Sequence, residues 1–241
     1  MNKGKFIRWI LFFVLILNIG TMNAQNRTDM NKVLNTQQQG LITVSALTAT
    51  GDLGNLKIQL NMALDAGLTI NEIKEALVQL YAYCGFPRSL NGINTFKTVL
   101  DQRASKGITD SIGKEIIVVN YTEDKYEQGR QVLETLTKTP QVKPAPGFGE
   151  FAPRIDTFLK EHLFADIFVS DVLTYQQREL VTIAALAAMP GVEEQLQAHI
   201  GMGMNTGITV EQVKSMCDII EKAISKEQAE TARAVLSKMK K

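Results

Sequence analysis

One helical pattern occurs twice in this chain. Leu41-x-Thr43 with Ala46-Leu47-x-Ala49 returns as Leu180-x-Thr182 with Ala185-Leu186-x-Ala188. Gly67-Leu68-Thr69 returns as Gly207-Ile208-Thr209, and Lys74 as Lys214, after one extra residue in the later turn. A repeat of this length is a supersecondary unit whose apolar faces need a neighbour, so the two copies are expected to pack on each other. In both, a glycine ends one helix and Thr69 or Thr209 caps the next. The apolar positions Ile73, Leu77 and Leu80, or Val213, Met216 and Ile220, then fall on one helical face. The pattern predicts an all-α chain of two tandem units. The units are bounded at 25–120 and 121–241, behind a leader at 1–24.

The copies differ in chemistry. The stretch 178–205 reads as a helix hairpin, broken at Pro190 and Gly191 because proline lacks a donor and clashes with the preceding turn. Glu193 and Glu194 suit the positive dipole end of the second helix. Glu179 lies eleven residues before Pro190 and His199 nine after it. At about 1.5 Å rise per residue, their side chains come level across an antiparallel hairpin. A carboxylate and an imidazole at one height form an acid/base pair, because histidine titrates near neutral pH and a carboxylate fixes its tautomer. The first copy has Gly40 and Gln59 at the matching positions, so only the second copy carries the pair. Each residue also has a plainer reading: Glu179 as a dipole-favoured carboxylate at a helix start, and His199 as a hydrogen-bonded packing residue.

Three further side chains stand out. Cys84 is a candidate single-thiol nucleophile, if its pKa is lowered, or else a small buried hydrophobe. Arg88 and Arg178 suit bidentate binding of a substrate carboxylate, or surface solvation. Cys217, matching the core residue Leu77, reads as structural, and His162 as a partly exposed helix residue or, less simply, one that lines the site. Met202 and Met204 read as flexible packing, and no spacing predicts a metal site. Elsewhere, amphipathic helices are expected at 123–138 and 155–168, and a helix from Pro87 to about residue 102. Residues 107–120, with Ile116-Ile117-Val118-Val119, form the one stretch where a strand is plausible.

The N-terminus constrains location. Lys3, Lys5 and Arg8 precede a short apolar run at 9–17, and Ala24 offers a small residue for cleavage, the layout of a secretory signal peptide. The run falls short of the roughly 20 residues that span a bilayer. The expected mature chain begins near Gln25 and is periplasmic or secreted, with no membrane association after cleavage. The 26 basic side chains less these three leave 23 against 25 acidic ones. Nothing in that balance attracts nucleic acid. Two cysteines are too few for a disulfide-built scaffold.

The segments RELVTIAALAAM, HIGMGMNTGIT and EALVQLYAYCGFPRSLNGI together resemble the carboxymuconolactone decarboxylase family, within the alkylhydroperoxidase-like superfamily. That resemblance implies two alkylhydroperoxidase-like helical units per chain and a homo-oligomer, a trimer of tandem chains. It implies decarboxylation or isomerisation of a small cyclic carboxylic acid or lactone, with no metal or organic cofactor. Glu179 and His199 stand where the family's polar site residues would be, and Tyr81, two residues before the YxGFP turn, is a substrate-binding candidate beside Arg88 and Arg178. In single-unit members the RELV helix, the histidine and that turn share one domain, whereas here they are split between copies. The alkylhydroperoxidase branch implies a peroxidase alternative through Cys84. Its Cys-x-x-Cys pair is incomplete here, since Tyr81 precedes Cys84 by three residues and Pro87 follows it by three. A non-catalytic oligomeric binding module is the third reading.

Overall fold

The computed structural model describes residues 33–115 and 124–239. The leader at 1–24 and the β-prone run at 116–119 lie outside the described residues. Eleven α-helices and one π-helical stretch carry the fold, with no strand among the described residues. The first copy holds α1 (Thr36–Thr50), α2 (Leu53–Asp65), α3 (Ile70–Gln79) and α4 (Tyr81–Ser105). Next come α5 (Lys125–Thr137), the short α6 (Phe148–Phe151) and α7 (Pro153–Thr157), and a π-helix (Phe158–Ile167). The second copy holds α8 (Tyr175–Ala187), α9 (Glu193–Asn205), α10 (Val210–Ala223) and α11 (Lys226–Lys238). No helix among the described residues is long and apolar enough to cross a membrane.

The repeat is visible in the caps. Asn35 and Thr174 open α1 and α8, each closing a capping box with a glutamine three residues on, Gln38 or Gln177. Thr69 and Thr209 open α3 and α10 in the same way, with Glu72 and Gln212. Such reciprocal bonds satisfy donors that a helix start otherwise leaves open.

At the centre of the molecule, α1 and α8 pack against each other. Leu34, Ile42 and Ala46 of the first copy join the apolar cluster of the second. Leu173, Val181 and Ala185, which occupy the same three repeat positions, join the cluster of the first. Each copy therefore completes the other's core, and alanine at the crossing lets the backbones approach closely.

A polar clamp crosses the same interface. Arg178 is fully buried and donates to Glu75 Oε1 at 2.7 Å, to Gln79 Oε1 at 2.9 Å and to the Ser170 carbonyl at 2.8 Å. Gln79 returns two bonds, to the Arg178 carbonyl at 2.9 Å and to Thr182 Oγ1 at 2.8 Å. Burial lowers the guanidinium's pKa and the Glu75 bonds oppose that. The second copy has Ser215 and Ile219 where the first has Glu75 and Gln79, so the clamp has no symmetry mate.

Around this core, α4 breaks at Gly85, whose φ of 81° suits glycine, and Pro87 opens the continuation. The helix expected at 155–168 is π-helical over Phe158–Ile167, with the Phe168 amide bonding the Leu163 carbonyl. This winding accompanies a close approach. A Cβ on Gly129 of α5 would lie 1.8 Å from the Lys160 carbonyl oxygen. Lys160 itself is buried, bonded to Asp156 at 2.6 Å and Tyr126 at 2.9 Å. Burial would raise the Asp156 carboxyl, but the Lys160 and Tyr126 bonds outweigh it and hold the group below its ordinary value. Ser111 and Ile112, in the stretch where a strand was plausible, instead accept bonds from the Ile70 and Asn71 amides at the start of α3.

Glu75→Gln leaves the buried Arg178 charge uncompensated, and is expected to destabilise the fold by about 3–5 kcal/mol in urea unfolding. Adding Arg178→Met should recover much of that loss, because no charge then remains buried. A single-variant loss below about 1 kcal/mol would show the clamp to be energetically idle.

Candidate active site

Helices α8 and α9 place the pair that the sequence brought level. His199 Nδ1 lies 2.8 Å from Glu179 Oε2, with the carboxylate fully buried and the imidazole 7 % exposed. The carboxylate accepts, so Nδ1 carries the proton and Nε2 keeps its lone pair. Gly203, one turn beyond His199 on α9, fits the close packing there. A Cβ on it would lie 2.9 Å from Ile183 Cδ1, 3.0 Å from Ile208 Cδ1 and 3.6 Å from Glu179 Cβ.

The first copy supplies the third member. The ring of Tyr83, at the start of α4, meets the His199 ring edge-on with centroids 5.3 Å apart. Its hydroxyl is buried beside Thr182 without making a hydrogen bond, and Glu179 Oε1 is likewise buried and unpartnered. Burial and the Glu179 charge push the Tyr83 phenol up, so it remains a proton donor. Buried polar atoms are normally bonded. Two unpartnered ones beside an imidazole mark a place where a guest's polar group has a donor and an acceptor waiting.

A cavity of about 720 Å³ opens nearby, lined by Tyr81, Gly85 and Phe86 of α4 and by Phe158, His162 and Leu163 of the π-helix, among others. Gln195 of α9 also lines it, and lies one helical turn before His199 on the same face. Tyr81 stacks on Phe86 at 4.6 Å and tilts against His162 at 5.4 Å. His162 Nδ1 is 3.1 Å from Asp166 Oδ2, so both histidines of the chain bond a carboxylate through Nδ1.

The remaining candidates fall elsewhere. Arg178 donates through both terminal nitrogens to the clamp, which assigns it to joining the copies, and its Nε is buried without a partner. Arg88 is exposed and does not line the cavity. Cys84 and Cys217 are both free thiols. Cys84 Sγ bonds the Leu80 carbonyl at 3.2 Å, and burial raises its pKa to about 11 against a weaker lowering by Arg88. Cys217 sits in the core of α10, likewise raised to about 11 by burial. Among the described residues no group of three or more His, Cys, Asp or Glu side chains could hold a metal ion. Tyr83 is not singled out by the residues alone, whereas His162 lines the cavity, the second of its two readings. The spacing of Tyr83 to Tyr81 in YAYCGFP was the available signal for that tyrosine.

Comparison with known families finds the same unit twice in the chain. The model of the carboxymuconolactone decarboxylase family matches residues 20–97 and 153–238, one segment in each copy. The chain belongs to that family. It is also similar to a 4-carboxymuconolactone decarboxylase from Acinetobacter baylyi, with 27 % identity over 95 residues, covering 39 % of this chain and 70 % of that protein. In this tandem member of the carboxymuconolactone decarboxylase family, the RELV helix and the YxGFP turn meet across the copy interface. Tyr83 reaches His199, and Glu75 and Gln79 reach Arg178.

The Cys84 thiol is protonated at neutral pH. Alkylation of Cys84 by iodoacetamide, followed by mass spectrometry, is therefore expected to be slow near neutrality and to rise about tenfold per pH unit toward 11. A rate already at its plateau near pH 7 would mean a thiolate and would revive the peroxidase reading.

Proposed function

We propose that the chain is an exported, cofactor-free acid/base enzyme that decarboxylates or isomerises a small cyclic carboxylic acid or lactone. The observation that carries this reading is the sealed Glu179–His199 pair, with Glu179 Oε1 and the Tyr83 hydroxyl left unpartnered beside it. His199 Nε2 takes a proton from a carbon next to a carbonyl, and Glu179 stabilises the imidazolium that forms. The electron pair moves into the carbonyl oxygen as an enolate, toward which the Tyr83 hydroxyl can donate. Returning the proton at another carbon isomerises the ring. In the decarboxylating direction, carbon dioxide leaves with the same electron flow, and His199, having taken a proton from solvent at Nε2, delivers it to the vacated carbon. The similarity to a 4-carboxymuconolactone decarboxylase supports this class of chemistry.

The competing readings draw less support. A peroxidatic Cys84 needs a thiolate, which burial disfavours. A purely structural module accounts for the Glu179–His199 bond but leaves the unpartnered Glu179 Oε1 and Tyr83 hydroxyl beside it without explanation. Assembly as a trimer of tandem chains belongs to the same proposal, and rests on the family likeness.

Turnover is followed as carbon dioxide release from 4-carboxymuconolactone and as exchange of carbon-bound protons in deuterated buffer with α-angelica lactone. His199→Gln is expected to lower the active reaction about 10²–10⁴-fold with an unchanged helical spectrum. Tyr83→Phe should cause a smaller loss. Undiminished turnover in the His199 variant sinks the reading. The leader-like segment supports a location outside the cytoplasm, and N-terminal sequencing of the exported chain should begin near Gln25. An intact Met1 on the exported chain would remove that support.

A further inference from the structure

The cavity beside the acid–imidazole pair has an unusual electrostatic character for a family whose name advertises a carboxylated substrate. Its walls are aromatic and aliphatic, and no lysine or arginine lines it. The polar groups at its surface are the Tyr81 hydroxyl, His162 and Gln195. Charges around it are either negative or already used. Asp166 holds His162 and also accepts from Lys125 at 2.7 Å, so that ammonium is paired. Burial and the Asp166 charge together push the Tyr81 phenol up, a sign that a further anion beside it is disfavoured. Arg154 stacks on the ring of Phe158, 5.7 Å from its centroid, and does not line the cavity. Arg88 is exposed elsewhere on α4. Glu179 lies outside the lining, and Arg178, whose charge also acts on Tyr83, is paired with Glu75.

A di- or tricarboxylate entering here would lose its hydration and find no cationic partner, which is the costly way to bury charge. An apolar ring loses little hydration, gains contact with Phe86, Phe158 and Leu163, and finds donors for one oxygen. A volume of about 720 Å³ suits a small-molecule guest. With Nδ1 of His162 donating to Asp166, its Nε2 keeps a lone pair that accepts and does not donate, a further feature that disfavours an anion beside it.

We propose that this cavity takes an uncharged unsaturated or aryl-substituted lactone, its carbonyl oxygen met by the Gln195 amide and the Tyr81 hydroxyl, and selects against polycarboxylates. This rests on the acid/base reading given above and narrows it to isomerisation: one proton moves from one ring carbon to another, with no group lost. Phe158 and His162 become the residues that set specificity.

The test is a matched pair of probes, coumarin and coumarin-3-carboxylate, measured by equilibrium dialysis against the full chain at about pH 8, where the acid is ionised. Coumarin is expected to bind at least about tenfold more tightly. Phe158→Lys, at a half-exposed rim position that tolerates a polar side chain, should raise carboxylate affinity and narrow or reverse the preference. His199→Gln should keep the coumarin preference, so failure of the acid/base reading and failure of this one are separately visible. Equal or tighter binding of the carboxylate to the unaltered chain overturns the proposal. So does an absence of coumarin binding accompanied by concentration-dependent burial of Phe158, which would assign the apolar face to a second copy.

Discussion

Arg178 and Glu179 are neighbours in sequence, and the fold depends on keeping their charges apart. Successive residues on a helix project about 100° from each other. The guanidinium therefore faces the first copy, and the carboxylate faces α9. Were the cation free to swing round, its attraction for Glu179 at about 4 Å would be on the order of 4 kcal/mol at a surface-like dielectric. The carboxylate would then be neutralised by arginine, leaving His199 without its partner. Glu75 and Gln79 prevent this by holding Arg178 through bonds at 2.7 and 2.9 Å. Docking of the two units and preparation of the acid/base pair are consequences of the same buried contact.

The two copies have settled the same packing problem with different residues. Where the second has Glu179 opposite Gly203, the first has Gly40 opposite Ala63. A Cβ on Gly40 would come within 3.2 Å of Leu68 Cδ1 and 3.3 Å of Ala63 Cβ. The larger residue has changed sides of the hairpin, so the first copy cannot gain the acid by one substitution. This explains, through volume alone, how one unit retained the core fold while carrying no acid at that height.

Much of this was readable from the residues. The repeat gave the all-α architecture and the caps at Thr69 and Thr209, because a threonine before a glutamate or glutamine three residues on has few alternatives. The arithmetic across Pro190 gave the Glu179–His199 bond, since a short turn between straight helices leaves little freedom of register. Contacts between distant segments were not readable in this way. Arg178 looked like a carboxylate binder because nothing near it in sequence shows that Glu75 lies across an interface. The mismatches Glu75 to Ser215 and Gln79 to Ile219 did carry a signal: polar residues at positions where the other copy is small or apolar. The π-helical winding of Phe158–Ile167, which brings His162 to the cavity, depends on Gly129 meeting the Lys160 backbone, a contact between separate helices. An α-helical period fitted to that segment alone misplaces its faces.

The covalent join between the copies has one more effect. Tyr83 comes from one unit and His199 from the other, so on separate polypeptides the halves would have to find each other in solution, and dilution would disassemble the site. On one chain the encounter is intramolecular, and the local concentration of one half around the other no longer follows the amount of protein present. A protein working at high dilution outside the cell would keep its half-sites in a fixed one-to-one ratio.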